Sequence, residues 1–500
     1  MAQKVAVYLV VGLIIGLIIG AGVGWAIAPK GVPEEEYKKV KTELETTKAE
    51  LSEVKALAEK LKALIPEELA KAEGVIVIRA WPGAKAYDKY RLDNLKDAAE
   101  LLNMVFKAIG LGITIKFEGT VESATLEKVI AAYKAGELVD ILGCGHEWIG
   151  PYAEAGYIIP LDDYIKKYEI LFKDWFPYPW AWESMKWKGK IYGILQDTEC
   201  RPFYFRKDVL RKLGWTEEEI EALPEKIRRG EWTIEDAIAV AKEAMARGLV
   251  KYGFYHRPTP GAQPMFVFYK QFGGVIGDPA TGKLVADKSA WLETLKLFYK
   301  MAYEEKTMPA MAGISWRTVH TDFVNGRVLF WFGGSWHWAE YQRVPYHEEL
   351  GKVPEEWEWE NLGFALVPAP RPGLKPATNT HPWAFMISSQ SKYPELAFLI
   401  ATIATLPTFD VRHCIYGGKL PARSTTYTVP EFKENKFLSS IVYMHEYTDV
   451  LFNNPKMPVY VKLVFEAVTA VEKGTPPDKA LSDLISALKT EIGDEIIIRD

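Results

Sequence analysis

The sequence predicts an α/β protein of two lobes, carried on an amino-terminal membrane helix and a helical stalk. Three observations lead there. A chain of 500 residues exceeds what one hydrophobic core ordinarily serves, so two lobes plus an appendage are expected. From Gly74 onward, short apolar strands alternate with amphipathic helices, the pattern of parallel-sheet lobes. Ahead of them lie an unbroken apolar run and then a charged segment of helical period.

The apolar run, Val5 to Ala28, holds about 24 residues, which at about 1.5 Å each crosses a bilayer core of about 30 Å. A cleaved signal peptide is the rival, but its apolar region is shorter and ends at a small-residue cleavage site. Lys4 precedes the run and Glu34, Glu35 and Glu36 follow it, which favours the amino end inside and the remainder outside the cell. Gly12, Gly16, Gly20 and Gly24 form a bare stripe where a second helix could approach. In 34–72, Tyr37, Val40, Leu44, Thr47, Leu51, Val54, Ala58, Leu61 and Ile65 alternate spacings of three and four. That is a heptad seam, to be read as a coiled coil or as a single solvated stalk, and with the glycine stripe it offers a route to self-association.

In the region from Gly74, Val75–Arg79, Ile113–Phe117 and Val139–Leu142 read as buried strands. Between them lie a helix over Tyr87–Lys107 and another from Ser123, as N-cap, to Gly136, as C-cap. This β-α-β-α-β order implies a parallel sheet. Further on, Thr233 and Asp236 form a capping box for a helix ending at Gly248, and Gly277–Leu284 is a turn-rich hairpin. Closing helices are expected over Pro394–Leu406 and Asp478–Ile492.

Composition excludes some functions. With 61 basic and 66 acidic side chains the net charge is −5, and no basic patch interleaves with aromatics, so no nucleic acid is expected as a partner. Cys144, Cys200 and Cys414 are too few and too scattered for a disulfide scaffold or a zinc motif and allow one bridge at most. His146-Glu147 begins like a zinc-protease helix, but Gly150 stands where the second histidine belongs. Gly277–Lys283 imitates a phosphate loop until Leu284 replaces the magnesium-binding hydroxyl. No metal, cofactor or catalytic residue is expected.

What remains are aromatics mixed with charge. The segment Lys188–Leu210 is strand-like and aromatic, yet it carries Glu199 and Arg201 through its middle, and such groups must be paired or offered to a ligand. Ligands of open parallel sheets bind beyond the carboxyl ends of strands, which points to Trp81-Pro82-Gly83 and to Gly143-Cys144-Gly145-His146-Glu147-Trp148. Phe332-Gly333-Gly334-Ser335-Trp336-His337-Trp338 is expected to put Trp336 and Trp338 on one side of an extended chain. With 17 tryptophans, the chain suits flat ligands such as sugar rings, whose C–H faces stack on indoles while acids take the hydroxyls. A glycosidase using Glu147 and Glu199 as acid and base, and a surface scaffold built on the coiled coil, are the alternatives.

Over nearly all of 74–500, the chain resembles the extracellular solute-binding proteins of ABC transporters, in the group of maltose- and trehalose-binding proteins. Val139-Asp-Ile-Leu and His146–Asp163 look like the third strand, the acidic ligand loop and the helix after it. Lys188–Gly193, Glu199 and Tyr204–Asp208 are similar to the family's crossover, and Gly334-Ser335-Trp336-His337-Trp338 to its Gly-Pro-Trp-x-Trp run. Leu366–Pro370, Ser391–Glu395 and Gly417–Arg423 are further landmarks. Three departures stand out: Trp148 where maltose-binding members carry arginine, Trp81 in place of a lysine-bearing first loop, and the membrane anchor with its stalk. The resemblance implies a periplasmic-binding-protein-like fold of type II. Its lobes are 74–197 with about 384–420 and 200–380 with about 425–500, joined by crossings near Leu195–Phe203, His381–Ile387 and Lys419–Tyr427. It implies a non-enzymatic receptor that passes a carbohydrate to ABC permease subunits. The implied contacts are Trp81, Glu147, Trp148, Glu199, Trp336 and Trp338, then Trp383, Arg201 and Arg423, with Tyr255, His256 and Gln263 in a further contact region.

Overall fold

The computed structural model describes residues 65, 69, 72–85, 88–175, 178–261 and 264–500. The run Val5–Ala28 with its glycine stripe, and the heptad segment apart from Ile65, Leu69 and Ala72, lie outside them, as do Tyr87 and Gln263. Among the described residues no single helix is long and apolar enough to cross a membrane.

Along the chain come β1 (Gly74–Trp81), α1 (Tyr90–Ala108), β2 (Ile113–Gly119), α2 (Leu126–Ala135) and β3 (Ile141–Gly145). Asp93 in the first turn of α1 and Lys107 in its last complement the helix dipole. Gly136 ends α2 at φ 71°, as expected of a C-cap, but the N-cap position falls to Thr125 rather than Ser123. Next are β4 (Gly193–Asp197), β5 (Phe203–Arg206), α3 (Ile234–Ala246), β6 (Tyr252–Tyr255), β7 (Gly277–Asp278) and β8 (Lys283–Asp287). The box of Thr233 and Asp236 caps α3, and β7 and β8 are the expected hairpin. Last come β9 (Val328–Phe332), α4 (Trp336–Tyr341), β10 (Leu362–Ala365), β11 (Trp383–Ile387), α5 (Pro394–Ile403), α6 (Pro407–Gly417), α7 (Pro477–Glu491) and β12 (Ile496–Arg499).

These strands form a 5-stranded sheet ordered β2-β1-β3-β11-β4, a 4-stranded sheet ordered β10-β5-β9-β6, and a 3-stranded sheet ordered β12-β8-β7. The first sheet is parallel where βαβ units build it, between β1 and β3. It is not parallel throughout: β11 runs antiparallel to both β3 and β4. The reason is connectivity. β11 arrives from the second sheet through 366–382 and not by a helical crossover, so it enters from the opposite end. The second sheet is mixed as well, with β9 parallel to β6 and antiparallel to β5.

Packing divides the chain into two compact units. In Met1–Ile76 with Leu101–Ile115, the described residues include Asn103, whose side-chain amide donates to the Ile115 carbonyl at 2.9 Å and accepts its N–H at 2.6 Å. Val77–Glu100 with Lys116–Asp500 carries the second and third sheets and every side chain of the site. There the rings of Phe203, Phe330 and Phe254 stack across β5, β9 and β6 with centroids 5.0 and 5.1 Å apart. Such pairs add about 0.5–1.5 kcal/mol each beyond their area.

The chain passes from the first sheet to the second between β4 and β5, where Thr198 bridges to Leu420 of the Lys419–Tyr427 segment. Helix α6 braces this point. His413 bonds to Asp197 at 2.8 Å, and one turn earlier Asp410 accepts from the Thr426 hydroxyl at 2.9 Å. Burial pushes the Asp410 carboxyl up to about 7, only partly offset by Thr426 and Arg423. An unfolded aspartate titrates near 4, so the stability this group contributes is full below about pH 4 and is lost as pH rises through 7. Asp410→Asn should therefore shrink the fall in melting temperature between about pH 5 and about pH 8, and an unchanged slope would contradict this account.

Candidate functional site

Antiparallel insertion of β11 gathers four chain segments on one rim of the first sheet. Trp383, at the start of β11, pairs with Gly145 at the end of β3 and with Asp197 at the end of β4. Trp81 ends β1 on the same rim, opposite Leu142. Beyond Gly145 the chain turns into a short 3-10 helix, His146–Trp148, anchored by the His146 N–H donating to the Pro382 carbonyl at 2.9 Å.

This rim holds a cavity of about 310 Å³ lined by Trp148, Trp383, Glu147, His381 and the loop entering α2. Trp383 is held in place: its indole N–H donates to the Pro82 carbonyl at 3.2 Å, and the Arg91 guanidinium lies 3.9 Å from its ring centroid. Gly83, at φ 71°, has no room for a side chain because the Trp383 ring lies against it. Trp148 stacks on Tyr152 at 5.8 Å. Glu147 bonds to His381 Nε2 at 2.6 Å. Burial works to raise its pKa, but the charge and hydrogen bond of His381 win and bring it to about 2, so the carboxylate is an ionised acceptor. Trp81 lies beside the cavity with the Lys128 ammonium 3.7 Å from its ring centroid.

The second rim forms where β9, β6 and β5 meet. Phe332 pairs with Phe203 and Trp331 with Tyr255, which brings Trp336, Arg257 and Arg201 to one edge. The Trp336 ring lies 4.5 Å from Lys419 Nζ and 5.4 Å from the Arg201 guanidinium. These same two cations take both oxygens of Glu199, Arg201 at 2.9 Å and Lys419 at 2.9 Å. Against the cost of burial, Lys419 and Arg201 hold the Glu199 carboxyl below its usual range, and Glu199 and Asp197 raise Lys419. Arg257, just past β6, donates to the Thr259 carbonyl at 2.8 Å and faces the ring of Trp316 at 5.8 Å. Burial and the nearby Arg201 lower its pKa to about 9, and Glu199 and Glu147 pull the other way, so it lies within electrostatic reach of both rims.

The expected residues thus separate. Glu147, Trp148 and Trp383 line one cavity; Glu199, Arg201 and Trp336 form a second cluster; Trp81 flanks the first. Trp336 and Trp338 do not share a side, because the segment is the helix α4 and not extended chain. Two residues along a helix is about 200° of rotation, so they project oppositely. Trp338 is core, stacked on Phe437 at 4.5 Å and 4°. Arg423 is buried among carbonyls, bonding to Thr405 at 2.6 Å and Leu171 at 2.5 Å and to Asp174 at 2.8 Å. Tyr255 and His256 turn inward to Asp322 and Glu472. All three cysteines are free and buried. A second cavity, of about 480 Å³, lies between Phe266, Lys270, Thr378 and Asp449, and none of the expected contacts lines it. Lys419, His381 and Arg257 are the site residues that sequence reasoning missed. Each stands at a crossing or just past a strand of the second sheet, which is the signal that could have found them.

Against known proteins, the family model of bacterial extracellular solute-binding proteins matches residues 86–407. The maltotriose-binding protein of Pyrococcus abyssi is 23% identical over 340 residues, covering 65% of this chain and 64% of that protein. The chain therefore spans just under two thirds of that relative's length. The maltose-bound MalE3 of T. maritima is similar with a TM-score of 0.64 at 20% identity, over 83% of this chain and 100% of that one. The GacH receptor of Streptomyces glaucescens, solved unliganded and with acarbose, has a TM-score of 0.64 at 17% identity, over 85% and 100%. At such identities the two structures bear on the fold.

Removing Glu199 would strand two buried cations. Glu199→Ala should cost about 3–5 kcal/mol of unfolding free energy in a denaturant melt, whereas a loss under about 1 kcal/mol would mean that the triad is solvated.

Proposed function

The chain belongs to the bacterial extracellular solute-binding proteins, and from that membership we propose that it captures a carbohydrate, an oligosaccharide, and delivers it to the permease subunits of an ABC importer. The observation that carries this reading is the cavity in which Trp148 and Trp383 stand with the ionised Glu147. Indoles stack on the C–H faces of sugar rings, and a carboxylate that cannot protonate at neutral pH accepts from vicinal hydroxyls. Trp336, Arg201 and Arg257 supply the contacts from the second rim. Ligand touching both rims binds the closed arrangement better than an open one, and that difference drives closure, the signal a permease reads. Family relatives that bind maltotriose, maltose or acarbose support glucose oligomers as first candidates.

The same proposal includes the amino-terminal segment: Val5–Ala28 anchors the receptor in the membrane and 34–72 holds the lobes outside the cell, with self-association through the glycine stripe and heptads. Glycoside hydrolysis fits the site poorly. A general acid needs a raised carboxyl pKa, and both Glu147 and Glu199 are depressed.

Calorimetry with maltotriose and longer α-glucans should give saturable binding without release of reducing ends. Trp383→Ala and Trp148→Ala should each weaken it by about tenfold or more, as anchors of a buried contact do. Trp338→Ala should instead cost about 3–5 kcal/mol of stability while leaving the intact fraction's affinity near wild type. Absence of binding across a panel of neutral and charged oligosaccharides would overturn the proposal.

A further inference from the structure

His146, Glu147 and His381 each offer a ligand atom, and these atoms lie within 4.8 Å of one another. Hydrogen bonding fixes the state of His146. Its Nε2 lies 3.1 Å from the Leu451 carbonyl oxygen, which only accepts, so Nε2 carries the ring proton. Nδ1 is therefore a bare lone pair, and among the described residues it has no hydrogen-bond partner although the side chain is fully buried. It faces Glu147 Oε2 at 3.8 Å. Two electron-pair donors confront each other with no proton between them, in a place where an unmatched polar atom is costly.

A cation in that gap satisfies both. His381 Nε2, 2.6 Å from the same carboxylate oxygen, stands ready as a third donor. We propose that His146 Nδ1, a Glu147 carboxylate oxygen and His381 Nε2 bind a divalent transition-metal ion, with Zn²⁺ the best fit. Two imidazoles and one carboxylate are zinc ligands, and calcium would require an oxygen cage. The His146 Nε2–H donated to a backbone carbonyl is the outer contact that orients metal-bound histidines. Bonds of about 2.0–2.2 Å put tetrahedral ligand atoms about 3.3–3.5 Å apart. The 3.8 Å gap must close slightly and the 2.6 Å pair must open as the His381 proton moves to Nδ1. Three protein ligands leave the fourth position to water or to a molecule in the cavity that Glu147 and His381 line.

The second histidine absent at Gly150 is thus supplied across 234 residues of sequence by His381. A like group, His320, His337 and Glu340, is equally compact but wrongly protonated. His337 Nδ1 already accepts the Gly334 N–H at 2.9 Å and the Trp331 indole N–H at 3.3 Å, so its Nε2 holds the proton. In the first group a buried water could fill the gap in place of a metal, donating one hydrogen to each side.

Calorimetric titration of the chelator-treated full chain with zinc separates the two. One tight equivalent is expected, with imidazole in its X-ray absorption shell, weakened at least about tenfold by His381→Ala and by the isosteric Glu147→Gln and kept by Glu340→Gln. If the full chain takes up no more zinc than the His381→Ala chain, as a bridging water requires, the proposal is overturned. It also falls if the equivalent follows Glu340 instead. No carbohydrate enters this titration, so its failure and the failure of the glucan titrations are separate results.

Discussion

Two carboxylates buried two residues apart, Asp197 and Glu199, govern the arrangement around them. An ionised carboxylate in a dry interior persists only if cations and donors surround it. Asp197 draws Arg91 at 2.9 Å from α1 and His413 at 2.8 Å from α6; Glu199 draws Lys419 and Arg201. The partners come from 106, 216 and 220 residues away for Arg91, His413 and Lys419. Such a network adds little net stability over apolar packing. What it bears on is geometry, because each carboxylate ties distant segments of the chain to one point.

The same cations orient the aromatic surfaces. Arg91 lies under Trp383 and Lys419 under Trp336, so each indole is held by a charge that is itself held by a buried carboxylate. The rings stand in position before any ligand arrives, and binding does not have to fund their ordering. For the ligand contacts proposed above, Asp197 and Glu199 act at one remove, through the side chains they neutralise.

Much of this was legible from local pattern. Strand and helix positions in the first sheet follow from apolar periodicity, the cap at Gly136 from its freedom at positive φ, and the rim loops from the rule that ligands meet strand ends. Misreadings came where a segment's environment is made by distant chain. β11 looks like any apolar strand, and nothing in Trp383–Ile387 says that it inserts antiparallel. For Glu199, pairing and ligand contact both stayed open, because its second partner, Lys419, is 220 residues on. Trp336 and Trp338 looked like neighbours on one side because an extended chain alternates its side chains, whereas the chain turns helical at once.

Helix α4 carries a lasting consequence. Its two indoles face opposite ways, Trp336 toward the cations of the crossover and Trp338 into the packed rings of Phe437, Trp359 and Phe364. A side-chain exchange at 336 alters the cluster at the crossover and leaves the packed rings of the core in place. An insertion or deletion in 333–338 has no such latitude, since rotating one indole out of the core rotates the other into it. Side-chain exchange at 336 thus acts on one surface, whereas a change of register acts on cluster and core together.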